Sequence, residues 1–94
     1  MNSLLQTVLE TEDLLNNDNT STRTGVNTSR SNIKNLQNAL FDLQRALNSN
    51  NRTTIQSTAA AVERQMLVLQ SSLLNLGSRY TSISNVLKTK HDTA

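Results

Sequence analysis

Apolar residues recur at Ile55, Ala59, Val62, Met66, Leu69, Leu73, Leu76, Tyr80, Ile83 and Leu87, with steps that alternate four and three. That period keeps one stripe of an α-helix turned toward a neighbouring helix. The spacing predicts a single helix over 53–90, roughly 55 Å long at about 1.5 Å per residue, which exceeds the width of a domain this small. The expected shape is a rod.

A second stripe, Val26, Ile33, Leu36, Leu40, Leu43 and Leu47, has the same three-four spacing and predicts a helix over 26–49, with Ala39 and Ala46 small enough for close approach. Between the two lies Asn48-Ser49-Asn50-Asn51, whose side chains favour turns, and Thr53 with Gln56 fits a capping box that starts the long helix. The pair predicts an antiparallel hairpin. Its seam is Ile33, Leu36, Leu40, Leu43 and Leu47 against Ile55, Val62, Met66, Leu69 and Leu73, with Leu47 near Ile55 and Val26 near Leu76.

Upstream, Ser3 with Gln6 fits another capping box, followed by Leu4, Leu5, Val8, Leu9, Leu14 and Leu15. The reading is a helix over 3–15, too short to stand alone in water. Residues 16–25 are rich in Asn, Ser and Thr, which compete for backbone hydrogen bonds, and read as a polar linker. The fold expected is therefore all-α, one domain over 1–94 with three helices: a long coiled-coil-like hairpin and a short N-terminal helix. In such a hairpin Leu76, Tyr80, Ile83 and Leu87 overhang the second helix and form the candidate interaction surface. The short helix, roughly 18 Å long, matches that overhang. It folds back there within the chain, or another chain takes its place. Gly77 falls inside the long helix, either as a small residue tolerated on an outer face or as a point of close backbone approach.

Composition changes the picture of the surface. Asn, Ser, Thr and Gln make up 42 of the 94 residues and only 16 are charged, so polarity comes from amides and hydroxyls. A chain this short builds a small core, and dependence on a partner is the expectation. Cysteine is absent, which excludes disulfides, thiol catalysis and thiolate metal sites. The net charge of +2 is uneven: Glu10, Glu12, Asp13 and Asp18 stand alone in residues 1–22, and nine bases oppose Asp42, Glu63 and Asp92 beyond them. The acidic segment docks on the basic remainder, or attracts a neighbouring chain in a manner that salt screens.

Reactive chemistry is sparse. His91 is the single histidine, in Lys90-His91-Asp92, and receives no role. No His/Glu/Asp group has metal-ligand spacing, and no glycine-rich turn could cradle phosphate. The expectation is a protein that is not an enzyme and uses no cofactor, metal or small-molecule ligand. Nucleic-acid binding is disfavoured, since the bases are spread thinly and only Phe41 and Tyr80 could stack. Membrane insertion is disfavoured because no run of about 18 apolar residues exists. The start Met1-Asn2-Ser3-Leu4-Leu5 lacks a secretory pattern, so export would use a route without a cleavable signal. The sequons at Asn19, Asn27 and Asn51 match chance in a chain of this composition.

The stretch from Leu36 to Leu87 resembles the C-terminal rod segment of bacterial flagellins and hook-filament junction proteins. That family shows an L-x-x-A-L pattern, a polar turn, and a long helix with an isoleucine-glycine-small-arginine signature. Here these read Leu36-Gln37-Asn38-Ala39-Leu40, then Asn48-Ser49-Asn50-Asn51, then Leu76-Gly77-Ser78-Arg79-Tyr80. The resemblance implies a structural protein of an exported bacterial appendage, built by helix-helix association. The length also resembles small helical-hairpin proteins of bacterial secretion systems. These imply the alternative: a cytoplasmic chaperone, or an adaptor, holding a partner's amphipathic helix.

Overall fold

A computed structural model describes residues 2–93, and their side chains over 3–92. Among the described residues it is all-α, with helices α1 (Asn2–Asn16), α2 (Arg23–Ser49), α3 (Arg52–Leu76) and α4 (Thr81–Thr93), and a 3-10 turn at Ser78–Tyr80. There are four helices where the pattern predicts three, because the expected 53–90 helix is two.

Local chemistry sets each boundary. Thr22 is extended and its hydroxyl accepts the Gly25 N–H at 3.1 Å, so α2 starts three residues ahead of the expected 26. It ends at Asn50, in the left-handed region at φ 58°, where the Asn50 N–H donates to the Leu47 carbonyl at 3.3 Å. Asn51 then caps α3, its side chain accepting the Thr54 N–H at 3.2 Å. The expected cap, Thr53, lies within the first turn. Ser3 is likewise inside α1, since that helix already includes Asn2, and its carbonyl accepts the Thr7 hydroxyl at 3.1 Å.

The long helix breaks at Gly77, whose φ of 123° and ψ of −178° fall where essentially only glycine goes. Its N–H donates to Leu74 at 3.2 Å and its carbonyl accepts from Tyr80 at 3.1 Å, which turns the chain within four residues. Both sequence-based readings of Gly77 are therefore corrected: it ends a helix. The glycine with a close neighbour is Gly25, onto which the Leu76 side chain packs so that a Cβ would sit 2.6 Å from Leu76 Cδ2. That contact puts the start of α2 against the end of α3, as the hairpin requires.

α2 packs along α3, α1 packs on α2 and α4, and α4 packs on α3, while the diagonal pairs make no close backbone approach. Sequence neighbours are thus neighbours in space, in an antiparallel four-helix bundle. Leu4 and His91 meet the hairpin at Leu43 and Val62, whereas Asp18 and Tyr80 meet at the opposite end. α1 and α4 therefore run antiparallel and cover only the half of the hairpin away from its turn. The molecule measures 44 × 22 × 18 Å, shorter than the expected rod.

The core holds Leu4, Val8 and Leu15 from α1, Val26, Ile33, Leu36 and Leu40 from α2, Val62, Met66, Leu69 and Leu73 from α3, and Tyr80 and Leu87. Each larger aliphatic side chain buried there contributes roughly 1.5 to 3 kcal/mol. Seven of the ten expected seam residues lie in this core. Leu43 and Ile55 are half-buried and Leu47 is 47% exposed, because α1 and α4 stop short of the hairpin tip. Ala46, one residue earlier, is the buried position at that level.

Candidate interaction surface

The expected interaction residues are covered within the chain. Tyr80 and Leu87 have no exposed surface, and Leu76 and Ile83 are half-buried against the core. Leu76 is the last residue of α3, and the break at Gly77 brings Tyr80, Ile83 and Leu87 back over the hairpin, where α1 packs on α4. Of the two arrangements the sequence leaves open, the intramolecular one is present.

A polar knot fastens that corner. The Asp18 side chain has no exposed surface and accepts the Thr20 N–H at 2.8 Å, the Ser21 N–H at 3.0 Å, the Thr20 hydroxyl at 3.1 Å and the Ser21 hydroxyl at 2.7 Å. The Tyr80 hydroxyl, from the 3-10 turn, donates to the same carboxylate. Arg79 lies 3.6 Å from it, donates to the Thr20 hydroxyl at 2.8 Å, and stands 5.7 Å from the Tyr80 ring centroid. The Tyr80 bond, followed by those from Ser21 and Thr20, holds the Asp18 carboxyl well below the usual carboxylate range. Burial, with the bond to Asp18, pushes the Tyr80 phenol up to about 12. The knot ties the α1–α2 loop to the α3–α4 corner, 62 residues apart in sequence. Sequence reasoning read Asp18 only as part of an acidic stretch, because its partners lie across the fold.

Glu12 meets Lys34 at 3.2 Å, so with Asp18 and Arg79 the acidic first segment docks on the basic remainder within one chain. Among the described residues no group of His, Cys, Asp and Glu could hold a metal, and no helix is long and apolar enough to cross a membrane. His91 lies in the last turn of α4, half-buried, 3.6 Å from Asp92.

Three apolar features reach the surface instead. At the step where α1 and α4 end, a cleft of about 250 Å³ is lined by Leu4, Leu40, Leu43, Leu47, Ala59, Val62 and His91. A groove of about 340 Å³ runs between α1 and α4, lined by Thr7, Glu10, Thr11, Leu14, Ser82, Ile83 and Val86. On α3, Leu67 is 64% and Leu74 52% exposed. Seven residues apart, they share a helix face about 20° from alignment, well away from the buried stripe. Val68, Phe41 and Leu9 are each 47% exposed. These side chains lie off the three-four stripe, whose period marks the buried face and says nothing of apolar residues on the others.

No protein-family model, curated protein or solved structure matches this chain.

Proposed function

We propose that this chain is a non-enzymatic structural protein that works by helix-helix association through apolar helix surface outside its own core. The observation that carries this reading is the step cleft, where the core opens to the surface and Leu47 lies 47% exposed above Leu43 and Ala59. An uncovered apolar floor between two helices fits the face of a further helix. A bacterial appendage or secretion apparatus as the setting rests on the resemblance of Leu36–Leu40, Asn48–Asn51 and Leu76–Tyr80 to the flagellin rod segment. The long helix of that family is interrupted here at the signature itself.

The adaptor reading draws support from the second groove, since Leu14, Ile83 and Val86 could hold a partner's helix between α1 and α4. Light scattering coupled to gel filtration, over a hundredfold range of concentration, separates the two. Self-association predicts a mass that rises with concentration and falls back to one chain in Leu47→Ser. A mass of one chain throughout contradicts self-association and leaves the adaptor reading.

A further inference from the structure

The apolar stripe does not lose its phase at the break. Leu69, Leu73, Leu76, Tyr80, Ile83 and Leu87 keep the four-three spacing straight through Gly77, although the helix they would line is folded in two. The same side chains therefore share one face whether α3 and α4 are bent or continuous. Only one residue, Gly77, holds a backbone conformation incompatible with continuing the helix, and the 3-10 turn after it is already wound in the same hand. α4 packs on α1, α3 and the 3-10 turn and makes no close backbone approach to α2, which it meets only where His91 lines the step cleft, so it can leave the bundle as a unit.

We propose that α4 is an exchange element: it opens about Gly77 to continue α3 as one helix and docks on α1 of a second copy of this chain, which returns its own α4. The partner is identified by chemistry already on the page, because the seat that accepts α4 is the one it occupies in its own chain. Exchange restores the cover of Leu87 and Ser84, both buried in the closed form. It also replaces a glycine corner, in a conformation open essentially to glycine alone, by helix. A short hinge between two packed elements favours this route to a dimer. The knot of Asp18, Tyr80 and Arg79 sits on the corner and opposes opening. The exchange uses neither the step cleft nor the outer face of α3, so it stands apart from the association reading.

The test uses single-cysteine chains, which the absence of native cysteine makes clean. Glu10 on α1 and Ser82 on α4 line the same groove. Glu10→Cys and Ser82→Cys chains, both carrying Leu47→Ser to remove the cleft, are mixed at high concentration, diluted, and joined by a short bismaleimide. Exchange predicts a linked pair of unlike chains well above that of an Asn38→Cys and Ser82→Cys control. Adding Gly77→Ala strains the corner and favours the helix, and should raise the association constant about tenfold for each hinge, about a hundredfold for the dimer. Inserting two glycines after Gly77 relaxes the corner and should lower the linked pair. A yield no higher than the control, or one indifferent to Gly77→Ala, overturns the proposal. Should Gly77→Ala lose helicity by circular dichroism, the insertion decides: a lower yield supports exchange and an unchanged yield overturns it.

Discussion

A carboxylate with no exposed surface must have its lone pairs met, and Asp18 is met by two backbone N–H groups and the hydroxyls of Thr20, Ser21 and Tyr80. Because its folded pKa lies below the unfolded value of about 4, it contributes stability above that pH, lost as acid protonates it in the native state. Tyr80 works in the opposite sense: raised to about 12, it contributes stability that is complete below about pH 10 and lost between about 10 and 12. Thermal melts should therefore fall off at both extremes. Asp18→Asn should flatten the acid limb, and an acid limb of unchanged steepness would remove the knot from the account. A second prediction concerns Ser29, fully buried on α2 with a hydroxyl that has no hydrogen-bond partner among the described residues. Ser29→Ala should stabilise the chain by about 1 kcal/mol in urea unfolding. At this scale little was legible in the sequence. Asp18 and Ser29 look like any other polar residues until the fold shows what surrounds them.

The helices themselves were readable where the hydrophobic period is strong. Ile33, Leu36, Leu40, Val62, Met66, Leu69 and Leu73 all lie where the three-four spacing puts them. The break at Gly77 was not, for a physical reason: the chain turns without losing heptad phase, so the pattern that buries Tyr80 and Leu87 against α1 is the same pattern that would line a straight helix. The start of α2 lies three residues before the expected 26 and the cap of α3 two residues before the expected Thr53, since Thr22, Asn51 and Thr53 are all good capping types and only backbone geometry chooses among them. Asn51→Ala should cost about 1 kcal/mol, whereas Thr53→Ala should change stability little. The step in the bundle sorts the leucines in the same way. Leu87→Ala should cost about 2 to 4 kcal/mol, with α4 loosened from α1, while half-exposed Leu47→Ala should cost under about 1 kcal/mol. Urea unfolding of the two variants checks the contrast, and equal losses would contradict the placement of α4.

At the scale of the molecule, the chain is a hairpin clasped over half its length by its own ends. The acidic α1 side meets Lys34 and Arg79 within the chain, so the uneven charge is used internally. The pair of half-buried Glu12 with exposed Lys34 keeps one partner in solvent and is worth about 1 kcal/mol, so added salt should shift the melting temperature only slightly. What the clasp leaves open, the step cleft and the outer face of α3, is the surface on which the association proposal rests. All of this depends on α4 running back along α3. Spin labels at Glu63→Cys and Lys88→Cys report that directly, by pulsed dipolar spectroscopy on dilute protein. A continuous helix would separate the two positions by about 38 Å, whereas packed antiparallel helices lie about 8–10 Å apart. The account predicts one short distance, below about 20 Å with the label linkers included; a dilute monomer with its single distance near 38 Å would contradict it.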